Sequence, residues 1–109
     1  MNSYETLEIV QDGPVRNIRL NRPEVRNAFI GVVVDDLHKA FAEADDHDQT
    51  RVVLLSGNGK SFSAGADLGW MKDQASLPHA ENAKGADYMA RMFLAIARCK
   101  KPVVGRIHG

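Results

Sequence analysis

Val52-Val53-Leu54-Leu55-Ser56-Gly57-Asn58-Gly59-Lys60-Ser61-Phe62-Ser63-Ala64-Gly65-Ala66-Asp67-Leu68 is the stretch on which the rest of the chain turns. Its first four residues are apolar without alternation, the pattern of a strand buried on both faces of a parallel sheet. Ser56-Gly57-Asn58-Gly59 supplies turn residues. Small residues follow, and Gly69-Trp70-Met71-Lys72 reads as the first turns of a helix. A strand, a small-residue loop and a helix start make a place to bind an anion or a polarised carbonyl. N–H groups at a helix N-terminus have no intrahelical partners and point outward. Small side chains let a ligand come close to that backbone.

Working outward, residues 6–10 and 15–20 read as two strands, the second alternating apolar and polar side chains. Asp12-Gly13-Pro14 between them predicts a β-hairpin. Residues 21–29 are polar and broken by Pro23, and read as an ordered loop. Residues 30–46 carry a helical stripe of Ile30, Val33, Val34, Leu37, Phe41 and Ala44, with Asp35, Asp36, Lys39 and Glu43 away from it. Acids at 45, 46 and 48 oppose the helix dipole, which predicts a frayed end. Beyond the central stretch, residues 72–87 are polar, contain Pro78 and Gly85, and read as a mobile loop. Residues 88–99 are helical, with Met89, Met92, Phe93 and Ile96 on one face and Lys100-Lys101 at the favourable end of the dipole. Residues 103–107 make a fourth strand. The order β-β-α-β-loop-α-β implies an α/β layer fold. Its last strand leaves an uncovered edge, which suits a portion of a longer protein.

The 109 residues carry 14 basic and 14 acidic side chains. Zero net charge argues against non-specific nucleic-acid binding, which needs a basic footprint. One cysteine, Cys99, excludes an intrachain disulfide and suits a reducing compartment. No apolar run has the length to cross a membrane. The N-terminus is acidic and lacks a presequence pattern, so a cytoplasmic protein is expected.

Several chemistries fail on a required residue. A Walker A loop ending at Gly59-Lys60-Ser61 needs glycine where Leu54 stands. A dinucleotide fingerprint from Gly57 needs glycine where Phe62 stands. A nucleophile elbow at Ser63 needs glycine where Ser61 stands, so Ser63 is better read as a turn residue. His38, His47, His79 and His108 lack metal-ligand spacing. Trp70 and Met71 either pack in the core or line a pocket. What survives is a carbonyl-polarising loop, Ala64-Gly65-Ala66-Asp67, acting through backbone N–H groups, with Asp67 able to cap the next helix.

Leu20-Asn21-Arg22-Pro23 with Asn27-Ala28, then Gly57 with Phe62-Ser63-Ala64-Gly65-Ala66-Asp67-Leu68, then Lys101-Pro102-Val103 through Gly109, together resemble the enoyl-CoA hydratase/isomerase (crotonase) superfamily. The likeness runs along the whole chain, with 1–109 as the N-terminal portion of a single crotonase-like domain. The form around Trp70-Met71 looks most like methylglutaconyl-CoA hydratases. The resemblance implies a spiral of ββα turns, trimeric or hexameric when full length. It implies a substrate that is a coenzyme A thioester, with no further cofactor and no metal. The expected reaction is addition of water to an enoyl-CoA in fatty-acid or branched-chain amino-acid breakdown. An enoyl-CoA isomerase, or a non-catalytic fragment that binds coenzyme A or assembles with other subunits, is the alternative. Arg26 and Ala28 are expected near the adenine and phosphate end of coenzyme A. Ala64, Gly65, Ala66, Asp67 and Leu68 are expected against the pantetheine and thioester, with the Ala64 N–H as first oxyanion donor. The second donor and the catalytic glutamates are expected beyond Gly109, and none of Glu5, Glu8, Glu24, Glu43 or Glu81 falls at a family catalytic position.

Overall fold

A computed structural model describes residues 4–109. Residues 1–3, part of the acidic N-terminus read above, lie outside the described residues. Strands β1 (Leu7–Asp12) and β2 (Val15–Leu20) form the expected antiparallel hairpin, closed by a two-residue turn of Gly13 and Pro14. Gly13 has φ 57°, where a side chain would be strained. A single 3-10 turn, Pro23–Val25, leads into helix α1 (Gly31–Asp46). Strand β3 (Val52–Gly57) then pairs parallel to β2, and β4 (Val103–Gly105) pairs parallel to β3, giving the sheet order β1-β2-β3-β4. Parallel neighbours require a crossover, and α1 supplies the first.

The core lies between this sheet and the inner faces of α1 and a later helix. Val33, Val34, Leu37, Phe41 and Ala44 are buried from α1, against Leu7, Ile18, Leu20 and Val53 from the sheet. Each large side chain there contributes roughly 1.5–3 kcal/mol, more than the low helix propensity of the Val32-Val33-Val34 run costs. Two acids placed on the outer face by periodicity prove to be ties to the sheet layer. Asp36 is buried, and its Oδ2 accepts from the N–H and the hydroxyl of Thr6 at 3.0 and 2.7 Å. Glu43 pairs with the buried Arg16 guanidinium at 3.2 Å. β3 is less enclosed than an unalternating apolar run implies: only Val53 is fully buried and its neighbours are half-buried.

The 72–87 segment is not a loop. It folds as α2 (Leu68–Ala75) and the start of α3 (His79–Ala97), joined by a short turn through Ser76, Leu77 and Pro78. Pro78 sits at the N-cap of α3, where its missing N–H costs nothing. Gly85 is tolerated in α3 because the Gln74 carboxamide packs against it: a Cβ there would lie 2.6 Å from Gln74 Oε1.

The end of α1 is not frayed either. The Lys101 ammonium donates to three carbonyls there, those of Ala44, Asp45 and His47, the latter two at 2.8 and 3.0 Å. The Asp45 carboxylate accepts from the Lys100 N–H at 2.8 Å. Burial alone would raise the Asp45 pKa. Hydrogen bonds from Lys100 and the Cys99 thiol, with both lysine charges, outweigh that and hold it below the ordinary value. Burial is also the main cause that lifts the Cys99 thiol pKa, so it is no activated nucleophile.

Candidate functional site

Two short segments build the site. The first turns sharply at Arg26 and Asn27, both left-handed with φ 54° and 55°. Asparagine tolerates that conformation better than most residues. The buried Asn27 side chain then ties the neighbourhood together. Its Oδ1 accepts from the Arg22 N–H at 2.7 Å, and its Nδ2 reaches the carbonyls of Asn58, Ser61 and Phe62 at 2.9–3.0 Å. Gly57 is required beside it: a Cβ would stand 2.4 Å from Phe62 O and 2.9 Å from Asn27 Nδ2.

The second segment, 63–67, runs along the first. The Ala64 N–H donates to Arg26 O at 2.8 Å, and the Ser63 hydroxyl donates to Asn27 O at 2.9 Å. Phe29 N–H donates to Gly65 O and Asp67 N–H to Phe29 O, both at 2.8 Å, a one-residue parallel bridge centred on Ala66. In extended backbone, successive N–H groups point to opposite sides. The groups flanking Ala66 are therefore spent on Phe29, while the Ala66 N–H faces away and has no acceptor among the described residues. Gly65, with φ 86°, makes the turn and leaves open space where a side chain would stand.

This geometry decides which N–H groups are free to donate. A backbone N–H carries one hydrogen, and that of Ala64 is already given to Arg26 O. Gly65 N–H is given to Ser63 Oγ at 3.0 Å. Of the five residues 64–68 expected against a ligand, Ala66 and Leu68 have N–H groups without an acceptor among the described residues, and Leu68 also offers an apolar side chain, 82% exposed. Asp67 is committed to capping α2, its Oδ1 accepting from Trp70 N–H at 2.9 Å. That carboxylate also offsets the positive end of the α2 dipole, so the helix adds less field than the sequence implied. Ala28 is buried, its N–H bonded to Val25 O and its carbonyl to the Arg22 guanidinium. Arg26 is exposed and its guanidinium has no partner among the described residues. The structure brings the 26–29 turn and the 64–67 segment side by side; Asn27, which ties them, was read in the sequence only as part of a motif.

Beside Ala66 lies a cleft of about 310 Å³ between α2 and α3. Trp70, Met71 and Gln74 line it from α2, and Asn82, Gly85 and Met89 from α3. Trp70 and Gln74 share a face at i and i+4, as do Gly85 and Met89. Trp70 and Met71 thus line a pocket. Ser63 has no histidine partner: its hydroxyl is held by Asn27 O, and His108 Nε2 lies 2.8 Å from Gly59 O. Among the described residues no cluster of potential ligands could hold a metal ion, and no helix is long and apolar enough to cross a membrane.

Comparison with known proteins agrees with this architecture. The family model described as enoyl-CoA hydratase/isomerase matches residues 11–109, and the chain belongs to that family. An enoyl-CoA hydratase structure from Shewanella pealeana superimposes with a TM-score of 0.93 at 31% identity, over 96% of this chain and 40% of that one. An enoyl-CoA hydratase from Mycobacterium marinum gives 0.75 at 34% identity, over 94% and 47%. The peroxisomal Δ(3,5)-Δ(2,4)-dienoyl-CoA isomerase of Arabidopsis thaliana is 32% identical over all of this chain and 44% of its own. Its mitochondrial counterpart in Homo sapiens is 32% identical over 99% of this chain and 36% of its own. The chain thus spans less than half the length of these relatives.

Proposed function

We propose that the chain supplies the thioester-binding part of an enzyme that adds water to an α,β-unsaturated acyl-CoA, with the Ala66 N–H as an oxyanion donor. The observation that carries this is the unspent Ala66 N–H at the mouth of an apolar cleft, between two neighbours whose N–H groups are spent. As water adds, negative charge builds on the thioester oxygen. A preorganised donor aimed there stabilises the enolate, and losing one such donor costs about 2.7–4 kcal/mol. The exposed Arg26 guanidinium is the cation for a coenzyme A phosphate. In the longer protein, trimeric or hexameric assembly belongs to the same proposal.

Isomerisation is the second reading, favoured by the likeness to the two dienoyl-CoA isomerases. Moving a double bond also passes through an enolate, so the same donor serves it. Acid and base groups separate the two reactions, and the described lining of the 310 Å³ cleft holds no carboxylate, histidine or lysine. The 109-residue chain is therefore expected to bind an acyl-CoA without turning it over. Calorimetric titration with crotonyl-CoA and with free coenzyme A, beside a hydration assay, tests this. Tighter binding of the thioester with no hydration above background is expected. A thioester that binds no better than coenzyme A contradicts the site, and hydration by this chain contradicts the division of labour.

A further inference from the structure

Two carboxamides in the cleft have no work inside the protein. Gln74 stands on α2 about 9 Å along the helix axis from its first residue, Leu68, which is two residues on from Ala66. Its Oε1 lies against the bare backbone of Gly85, and the carboxamide has no hydrogen-bond partner among the described residues. Asn82 faces it from α3, three residues before Gly85, and its carboxamide is likewise without a partner. A second cavity of about 210 Å³ shares Trp70, Gln74 and Gly85 with the first and is lined also by Gly31, beside the Trp70 indole nitrogen, and by Asp35, whose carboxylate accepts from the Tyr88 hydroxyl. That indole N–H also has no acceptor among the described residues. Ala66, Met71 and Met89 give the cleft apolar lining, and Gln74, the exposed Asn82 and the Trp70 indole add three neutral N–H donors to it. A hydrocarbon tail lying against those donors would desolvate them without replacing their hydrogen bonds.

Resting on the acyl-CoA reading above, we propose that Gln74 and Asn82 set acyl specificity, and that the cleft selects an acyl group whose tail ends in an oxygen acceptor over a plain hydrocarbon tail. The acceptor is a carboxylate, a carbonyl or a hydroxyl oxygen. Gly85 is part of the device: without a side chain there, Gln74 is held in the wall between the two cavities.

Titration of the chain with hexanoyl-CoA, 6-hydroxyhexanoyl-CoA and adipoyl-CoA tests this directly. At least one oxygenated tail is expected to bind about fivefold tighter than hexanoyl, the worth of one neutral hydrogen bond. A gain with both identifies any oxygen acceptor; a gain with adipoyl alone identifies a carboxylate. In Gln74→Leu the preference falls to about one, and in Gly85→Ala, where a methyl group displaces the carboxamide, it narrows. Hexanoyl-CoA binding as tightly as both oxygenated tails overturns the tail assignment and leaves the thioester site standing. If no thioester binds better than free coenzyme A, both fall together.

Discussion

Asn27 shows how one residue can tie two loops together. A left-handed backbone turns the chain, and one carboxamide meets the Arg22 N–H and three carbonyls of the 58–62 loop. Asn27→Ala strands these buried groups and loses asparagine's tolerance of left-handed backbone. It is expected to lower the unfolding free energy by about 3 kcal/mol, read from urea denaturation. Asn27→Gly keeps the backbone freedom and loses only the hydrogen bonds, so it is expected to cost less. Equal losses would mean that the carboxamide, not the backbone turn, holds the loop. The motif around Ala64 was legible as a backbone-donor loop, because its residues are too small to act through side chains. Which N–H was free was not legible. That depends on the pairing of 26–29 with 64–67, and residues more than thirty apart in sequence give no local sign of it.

At the scale of elements, a single lysine joins two of them. Lys101 had been read as favouring the dipole of the helix before it, and instead its ammonium closes the C-terminus of α1. Lys101→Met removes charged hydrogen bonds and is expected to cost about 2–3 kcal/mol in denaturant unfolding. Lys101→Arg is not expected to rescue it, because a planar fork does not fit three converging carbonyls. Rescue by arginine would show that charge alone matters. Asp45 adds a pH dependence to the same junction. Its folded pKa lies below the ordinary aspartate value, so its contribution is present above that ordinary value and is lost as pH falls through the folded pKa. In Asp45→Asn the acid limb of the stability profile is expected to flatten. The helical stripe of α1 was plain in the sequence because its apolar positions recur on one face. The 72–87 segment misled because Pro78 and Gly85 are breakers by type. Here one starts a helix, and the other makes room for Gln74.

At the scale of the molecule, hairpin, crossover and parallel strands follow from hydrophobic patterning, and the observed sheet order agrees with it. The family follows from three motifs in order and is shown by a match over residues 11–109. The sheet and α1 position the 26–29 turn, that turn pairs with 64–67, and α2 and α3 complete the cleft. The Ala66 N–H is where these levels meet. The most direct test replaces that N–H alone, by putting lactic acid in place of Ala66 so that the amide becomes an ester. The thioester carbonyl stretch of bound, 13C-labelled crotonyl-CoA is then compared with that of the free compound. The unaltered chain is expected to shift the stretch to lower frequency. The shift is expected to vanish with the ester at 66 and to survive the same replacement at Ala64. A shift that survives at 66, or is lost only at 64, would contradict the assignment.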